Sequence, residues 1–120
     1  MKLADFVAQF LVDQGIRHVF LISGGAIVHC ADSVARHPKI DYICTQHEQG
    51  AGAAADAYAR IHGQCGAVLV TSGPGATNLV TSVCNAYFDS IPTIFICGQV
   101  AASRLRPNAN LRQKGFQETD

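Results

Sequence analysis

From Gly50 to Ala59 every residue except Asp56 and Tyr58 is alanine or glycine. No other stretch limits the fold so strongly. Alanine is the best helix former, so the run predicts a helix, but one with little apolar bulk to bury. A face this smooth suits close approach by another backbone or by a flat ligand. Ahead of it stand a strand-like run, Ile40-Asp41-Tyr42-Ile43-Cys44, and the polar Thr45-Gln46-His47-Glu48-Gln49. Glu48 therefore falls at the C-terminal end of a strand and in the first turn of a helix. In open α/β sheets that edge is where ligands bind.

The same grammar recurs along the chain. Leu3, Phe6, Val7, Phe10 and Leu11 lie at helical spacing, and Gly15 closes that helix. Residues 19–22 (Val-Phe-Leu-Ile) form an unbroken apolar run, the pattern of a strand buried on both faces, and end at Ser23-Gly24-Gly25. A helix over about residues 26–36 stops before Pro38, and the small-residue helix ends near Gly63. A third strand at residues 67–70 runs into Thr71-Ser72-Gly73-Pro74-Gly75-Ala76-Thr77-Asn78. A single helix over about 76–87 and a fourth strand at 92–97 follow. Such alternation predicts an α/β domain with a doubly wound, flavodoxin-like, mostly parallel sheet and helices on both faces. Past Ala101 the periodicity fades. Phe116-Gln117-Glu118-Thr119-Asp120 then starts a new element, so the domain is expected to be incomplete at its C-terminus.

With 120 residues there is room for one core. Hydrophobic residues make up 48% and charged residues 15%, too few charges to cover so small a chain, which implies a partner surface. Zero net charge and the lack of a basic run exclude nucleic acid as the main partner. No apolar stretch approaches the roughly 18 residues of a membrane span. The five cysteines (Cys30, Cys44, Cys65, Cys84, Cys97) form no C-x-x-C pair. They read as buried free thiols rather than zinc ligands or disulfides. Together with an N-terminus lacking a signal-peptide pattern, they point to the cytoplasm.

Three small-residue turns end strands: Ser23-Gly24-Gly25, Gln46-His47-Glu48 with Gly50 behind it, and Ser72-Gly73-Pro74-Gly75. In a parallel sheet they line one edge and can form one site. Asn78 stands where a dinucleotide fingerprint needs its third glycine, no Gly-Lys-[Ser/Thr] occurs, and Ser72 lacks the frame of a nucleophile elbow. Glu48 has two readings. It stabilises the positive end of its helix, worth about 0.3–1 kcal/mol, or it is a carboxylate whose burial readies it for proton exchange. His47 reads as a strand-end residue. His18, His29, His37 and His62 have no metal-ligand spacing, and Asp56 with Arg60 make a supporting pair on one helix face.

His47-Glu48-Gln49 before the small-residue helix, the run from Thr71 to Asn78, Asp89-Ser90-Ile91-Pro92, Gly98-Gln99-Val100 and Gly115-Phe116-Gln117-Glu118 occur in that order. The whole chain, residues 1–120, thereby resembles the N-terminal, pyrimidine-binding domain of thiamine-diphosphate-dependent enzymes, nearest to the acetolactate synthase branch. Ser23 departs from the proline usual there. The resemblance implies that Glu48 hydrogen-bonds N1′ of the aminopyrimidine ring and so promotes proton removal from the thiazolium carbon. It implies that Gly24, Gly25, Thr71, Pro74 and Asn78 line the pyrimidine pocket and that Phe116 and Gln117 approach the substrate. The small-residue helix would pack across a dimer interface.

In this family the diphosphate and its Mg2+ are held by a separate domain with a Gly-Asp-Gly…Asn motif, which does not occur in the chain. The resemblance therefore implies a truncated chain holding the pyrimidine half of the site only, with no metal ligand of its own. A diphosphate-binding domain in cis or trans, a homodimer or higher oligomer, and an optional FAD complete the picture. The activity implied is decarboxylation of a small 2-oxo acid followed by carboligation, with the isolated chain inactive. The alternatives are a small subunit of a split 2-oxo acid decarboxylase, or a non-catalytic interaction or regulatory paralogue.

Overall fold

A computed structural model describes residues 1–101. Four parallel strands, β1 (His18–Leu21), β2 (Asp41–Cys44), β3 (Gly66–Val70) and β4 (Thr93–Cys97), form one sheet in the order β2-β1-β3-β4. This is the order of a doubly wound, flavodoxin-like sheet, and the chain reverses direction of travel between β1 and β3. The central strand β3 is buried at every residue.

Strand alternation sends side chains to two cores. On one face Val19, Leu21, Ala67 and Leu69 meet Ala8 and Leu11 of α1 (Leu3–Asp13) and Val34 of α2 (Val28–Arg36). On the other, Phe20, Val68 and Val70 meet Ala51 and Ala55 of α3 (Glu48–His62) and Leu79. Helices thus cover both faces, as the alternation predicts.

Local chemistry explains the ends of these elements. Gly15, at φ 80°, follows α1 in the left-handed conformation that glycine adopts without strain. His47 caps α3, its Nδ1 accepting from the Gln49 N–H at 3.1 Å, and Gly63 ends α3 at φ 63°. Asp5 accepts from the buried Ser33 hydroxyl at 2.8 Å, tying α1 to α2.

Several elements differ from the sequence expectation. β1 begins one residue early, and Ile22 has left the strand, although its N–H still reaches Leu69 O at 3.3 Å. The second helix starts as a 3-10 turn, Gly25–Ile27. The helix expected over 76–87 is two: α4 (Pro74–Thr77) and α5 (Val80–Phe88). Pro74, pre-set for a first helical turn, starts the helix early, and the Leu79 N–H then bonds back three residues to Ala76 O at 3.1 Å, a tighter turn that breaks the ladder. β2, one of the two edge strands, is exposed at every residue, whereas β4 at the other edge is mostly half-buried. The cysteines are free but not fully buried: Cys44 and Cys97, which end the two edge strands, and Cys84 on α5 are exposed, while Cys30 and Cys65 are half-buried against the core.

Candidate functional site

The four strands end almost level. Leu21 pairs with Cys44 and with Leu69, and Val70 pairs with Cys97. Residues just past these ends therefore share one edge of the sheet: Gly24 and Gly25 after β1, Glu48 after β2, Thr71 to Asn78 after β3, and Gly98 and Gln99 after β4. Gly24 and Thr71 flank the point where the strand order reverses, the usual crevice of such sheets.

Gly24 and Thr71 are in close contact. A Cβ on Gly24 would fall inside the van der Waals envelope of the Thr71 side chain, and one on Gly75 would lie 2.9 Å from Thr71 Cγ2. The Thr71 hydroxyl accepts from the Ala26 N–H at 3.4 Å. Only glycine at Gly24 lets the two turns meet, and their meeting makes the wall of an open cleft of about 400 Å³ lined by Gly25, Ala26, Thr71, Ser72, Gln99, Val100 and Ala101. Pro74 stands at the first turn of α4, set up by Gly73 at φ 58°.

Glu48 is half-buried at the start of α3. Asn78, in the break between α4 and α5, donates from Nδ2 to Glu48 Oε2 at 2.9 Å. One turn further along both helices, a Cβ on Gly52 would overlap the Ser82 side chain. The Ser82 hydroxyl donates to Gln49 O at 3.3 Å. The bare Gly52 thus lets α5 close on α3, and that crossing carries Asn78 to the carboxylate.

The structure therefore joins Glu48 to Asn78, joins Gly24 to Thr71, and puts Gly25 with Thr71 on the cleft. Phe116 and Gln117 lie outside the described residues. Ser72 and Gln99 line the cleft but were not among the expected pocket residues, although Ser72 stands in one of the small-residue turns and Gln99 in the Gly98-Gln99-Val100 motif. Among the described residues no three His, Cys, Asp or Glu side chains gather as a cation site. His47, read from the sequence as a structural strand-end residue, is the N-cap of α3. Arg60 pairs with Asp56 at 2.6 Å and also with Asp89, and these carboxylates push its pKa up.

A flat heteroaromatic ring suits what is present: open space at Gly25, hydroxyls at Thr71 and Ser72 on the cleft, and a carboxylate on the same sheet edge able to hold or take a proton.

The model of the family described as "Thiamine pyrophosphate enzyme, N-terminal TPP binding domain" matches residues 1–120. Over 117 residues the chain is 46% identical to the acetolactate synthase large subunit of Buchnera aphidicola from Acyrthosiphon pisum, covering 98% of this chain and 19% of that protein. It is 44% identical to the acetolactate synthase isozyme 3 large subunit of Escherichia coli, over 98% of this chain and 19% of that protein. It is also 44% identical to the mitochondrial acetolactate synthase catalytic subunit of Saccharomyces cerevisiae, over 89% of this chain and 15% of that protein. The chain thus spans less than a quarter of the length of these relatives.

Proposed function

Since the chain belongs to the thiamine pyrophosphate enzyme family, through its N-terminal TPP binding domain, we propose that it supplies the pyrimidine half of a thiamine diphosphate site in an acetolactate-synthase-like enzyme. The reaction is decarboxylation of a small 2-oxo acid such as pyruvate and ligation of the product to an acceptor. The observation that carries this reading is Glu48: a half-buried carboxylate on the same strand-end edge as the cleft, held on one oxygen by Asn78.

When bound, the cofactor supplies an electron sink for the carbanion left by loss of CO2. Glu48 presents its second oxygen to a ring nitrogen and holds the proton shared between them. Gly25 would leave room for the flat ring, Gly24 would let Thr71 close in to form its wall with Pro74, and Asn78 would border it. Mg2+ and the diphosphate belong, in this reading, to a separate diphosphate-binding part in cis or trans.

A partner follows from the surface. Val80, Val83, Cys84 and Tyr87 form an exposed stripe along α5 at helical spacing, with Phe88 beside it. An apolar face of this kind fits a second copy or the diphosphate-binding part better than water. No described helix is long and apolar enough to cross a membrane, and the free thiols favour a reducing cytoplasm.

The test is Glu48→Gln in the native assembled protein, read by thiamine diphosphate titration and by turnover of pyruvate. The variant should associate normally and lose turnover by a factor of about 100 or more. Unchanged turnover would remove Glu48 from the chemistry and the reading with it.

A further inference from the structure

Resting on the reading of Glu48 above, we infer that Asn78 is a positioning residue that gives the two oxygens of the Glu48 carboxyl different tasks. Asn78 Nδ2 donates to Oε2 at 2.9 Å. A carboxylate can only accept, so the amide must turn its N–H2 side toward Glu48. The neutral acid has one carbonyl oxygen, which accepts, and one hydroxyl, which donates. An N–H donor fixed against Oε2 is accepted there by the carboxylate and, in the neutral acid, favours the carbonyl role at that oxygen. The exchangeable proton is thereby confined to Oε1, the oxygen free to meet a ligand nitrogen.

Both partners are held in place. The Asn78 N–H donates to Pro74 O at 3.0 Å, fixing its backbone at the break between α4 and α5. The first turn of α3 is fixed by His47, whose Nδ1 and carbonyl accept from the N–H groups of Gln49 and Ala51, each at 3.1 Å. Ser82 bonds Gln49 O and rests over Gly52, which sets the distance between the two helices. The helix break that places Asn78 here has no sequence signal of its own. Its consequence is this one hydrogen bond.

The experiment is a double-mutant cycle in the native assembled protein with thiamine diphosphate as the probe. Asn78→Ala, Glu48→Ala and the double variant are compared for affinity by calorimetry. Asn78→Ala alone should weaken binding on the order of tenfold. In the Glu48→Ala background the same change should cost less than about twofold, because its effect runs through the carboxyl. An equal loss in both backgrounds means that Asn78 meets the ligand directly, and the inference is overturned while the role of Glu48 stands. If Glu48→Ala itself leaves affinity and turnover unchanged, the functional reading fails first.

Asn78→Asp keeps the shape and supplies the independent readout. It sets a second carboxylate against Oε2, and two such groups share a proton. The acid limb of the pH profile for cofactor binding should then rise by about one pH unit or more. An acid limb that does not move overturns the inference.

Discussion

Gly52 lies directly beneath the Ser82 side chain, so close that a Cβ on Gly52 would overlap both Ser82 Cβ and Oγ. Rotating the hydroxyl away cannot relieve the overlap, because Cβ itself is in the way. The contact sits one turn from the Glu48–Asn78 hydrogen bond on both helices, so the spacing of α3 and α5 at Gly52 decides whether Asn78 reaches the carboxylate.

Gly52→Ala should therefore destabilise the domain although alanine is the better helix former. The propensity gain is about 1 kcal/mol, and overpacking a tight contact costs about 1–3 kcal/mol, so the overlap wins. Gly50→Ala is the control. Nothing lies within 4 Å of a Cβ there, so that variant should gain about 0.5–1 kcal/mol. Urea denaturation of the two variants separates the cases, and equal shifts would refute the close crossing. In a Ser82→Gly background, which removes the obstructing side chain, Gly52→Ala should cost much less than it does alone.

The paired glycines after β1 should behave differently from one another. Gly24→Ala forces Thr71 away and should cost about 1–3 kcal/mol while opening the cleft wall. Gly25→Ala meets nothing within 4 Å and should leave the melting temperature almost unchanged. It should still weaken thiamine diphosphate binding, because Gly25 lines the cleft. Thermal melts with and without cofactor distinguish the two, and a Gly25→Ala protein of full affinity would take Gly25 off the ring.

The contrast between these glycines marks where sequence reading stops. The four strands, the caps at Gly15 and Gly63, and Glu48 at the start of α3 all follow from patterns within a few residues of each site. What the site does with Glu48 depends on Asn78, thirty positions away, and no local signal reports it. The break that turns Asn78 inward contains neither proline nor glycine, so residues 76–87 read as one helix. The small residues of α3 were legible as a smooth face. That one of them, Gly52, serves α5 and another, Ala55, meets Gly66 at the start of β3 is tertiary information. The exposure of β2 and of Cys44 and Cys97 was hidden because an apolar run does not reveal whether its strand lies at an edge, and that of Cys84 because helical spacing does not say which face of α5 is covered.

Acid stability should report the Asp5–Ser33 contact. The Ser33 hydroxyl, more than any other group, holds the Asp5 carboxyl below its ordinary value of 3.8, with Arg36 and Lys2 assisting. A lowered folded-state pKa stabilises the fold at pH values above the unfolded-state pKa, and that contribution disappears as pH falls through the folded value. Ser33→Ala should thus be less stable than the parent near neutrality. The gap should narrow as the pH is lowered from about 5 toward 2. A gap constant across that range would mean that Ser33 contributes by packing alone.

Cysteine labelling tests the partner surface. Cys84 is exposed on α5 within the stripe of Val80, Val83 and Tyr87, which are 58%, 43% and 78% exposed. Cys65 is half-buried, and burial pushes its thiol pKa up, so little thiolate forms there near neutral pH. In the dissociated chain, iodoacetamide should modify Cys84 well before Cys65. If α5 is the face that meets a second copy or the diphosphate-binding part, assembly should slow Cys84 by about tenfold or more, the desolvated interface leaving no room for the reagent. Cys65 should remain slow in both states and serve as the internal reference. Tyr87→Lys puts a charge on the stripe and should restore Cys84 reactivity by preventing association, with the melting temperature of the dissociated chain unchanged. Rapid Cys84 labelling in the assembled protein would place the partner on another face.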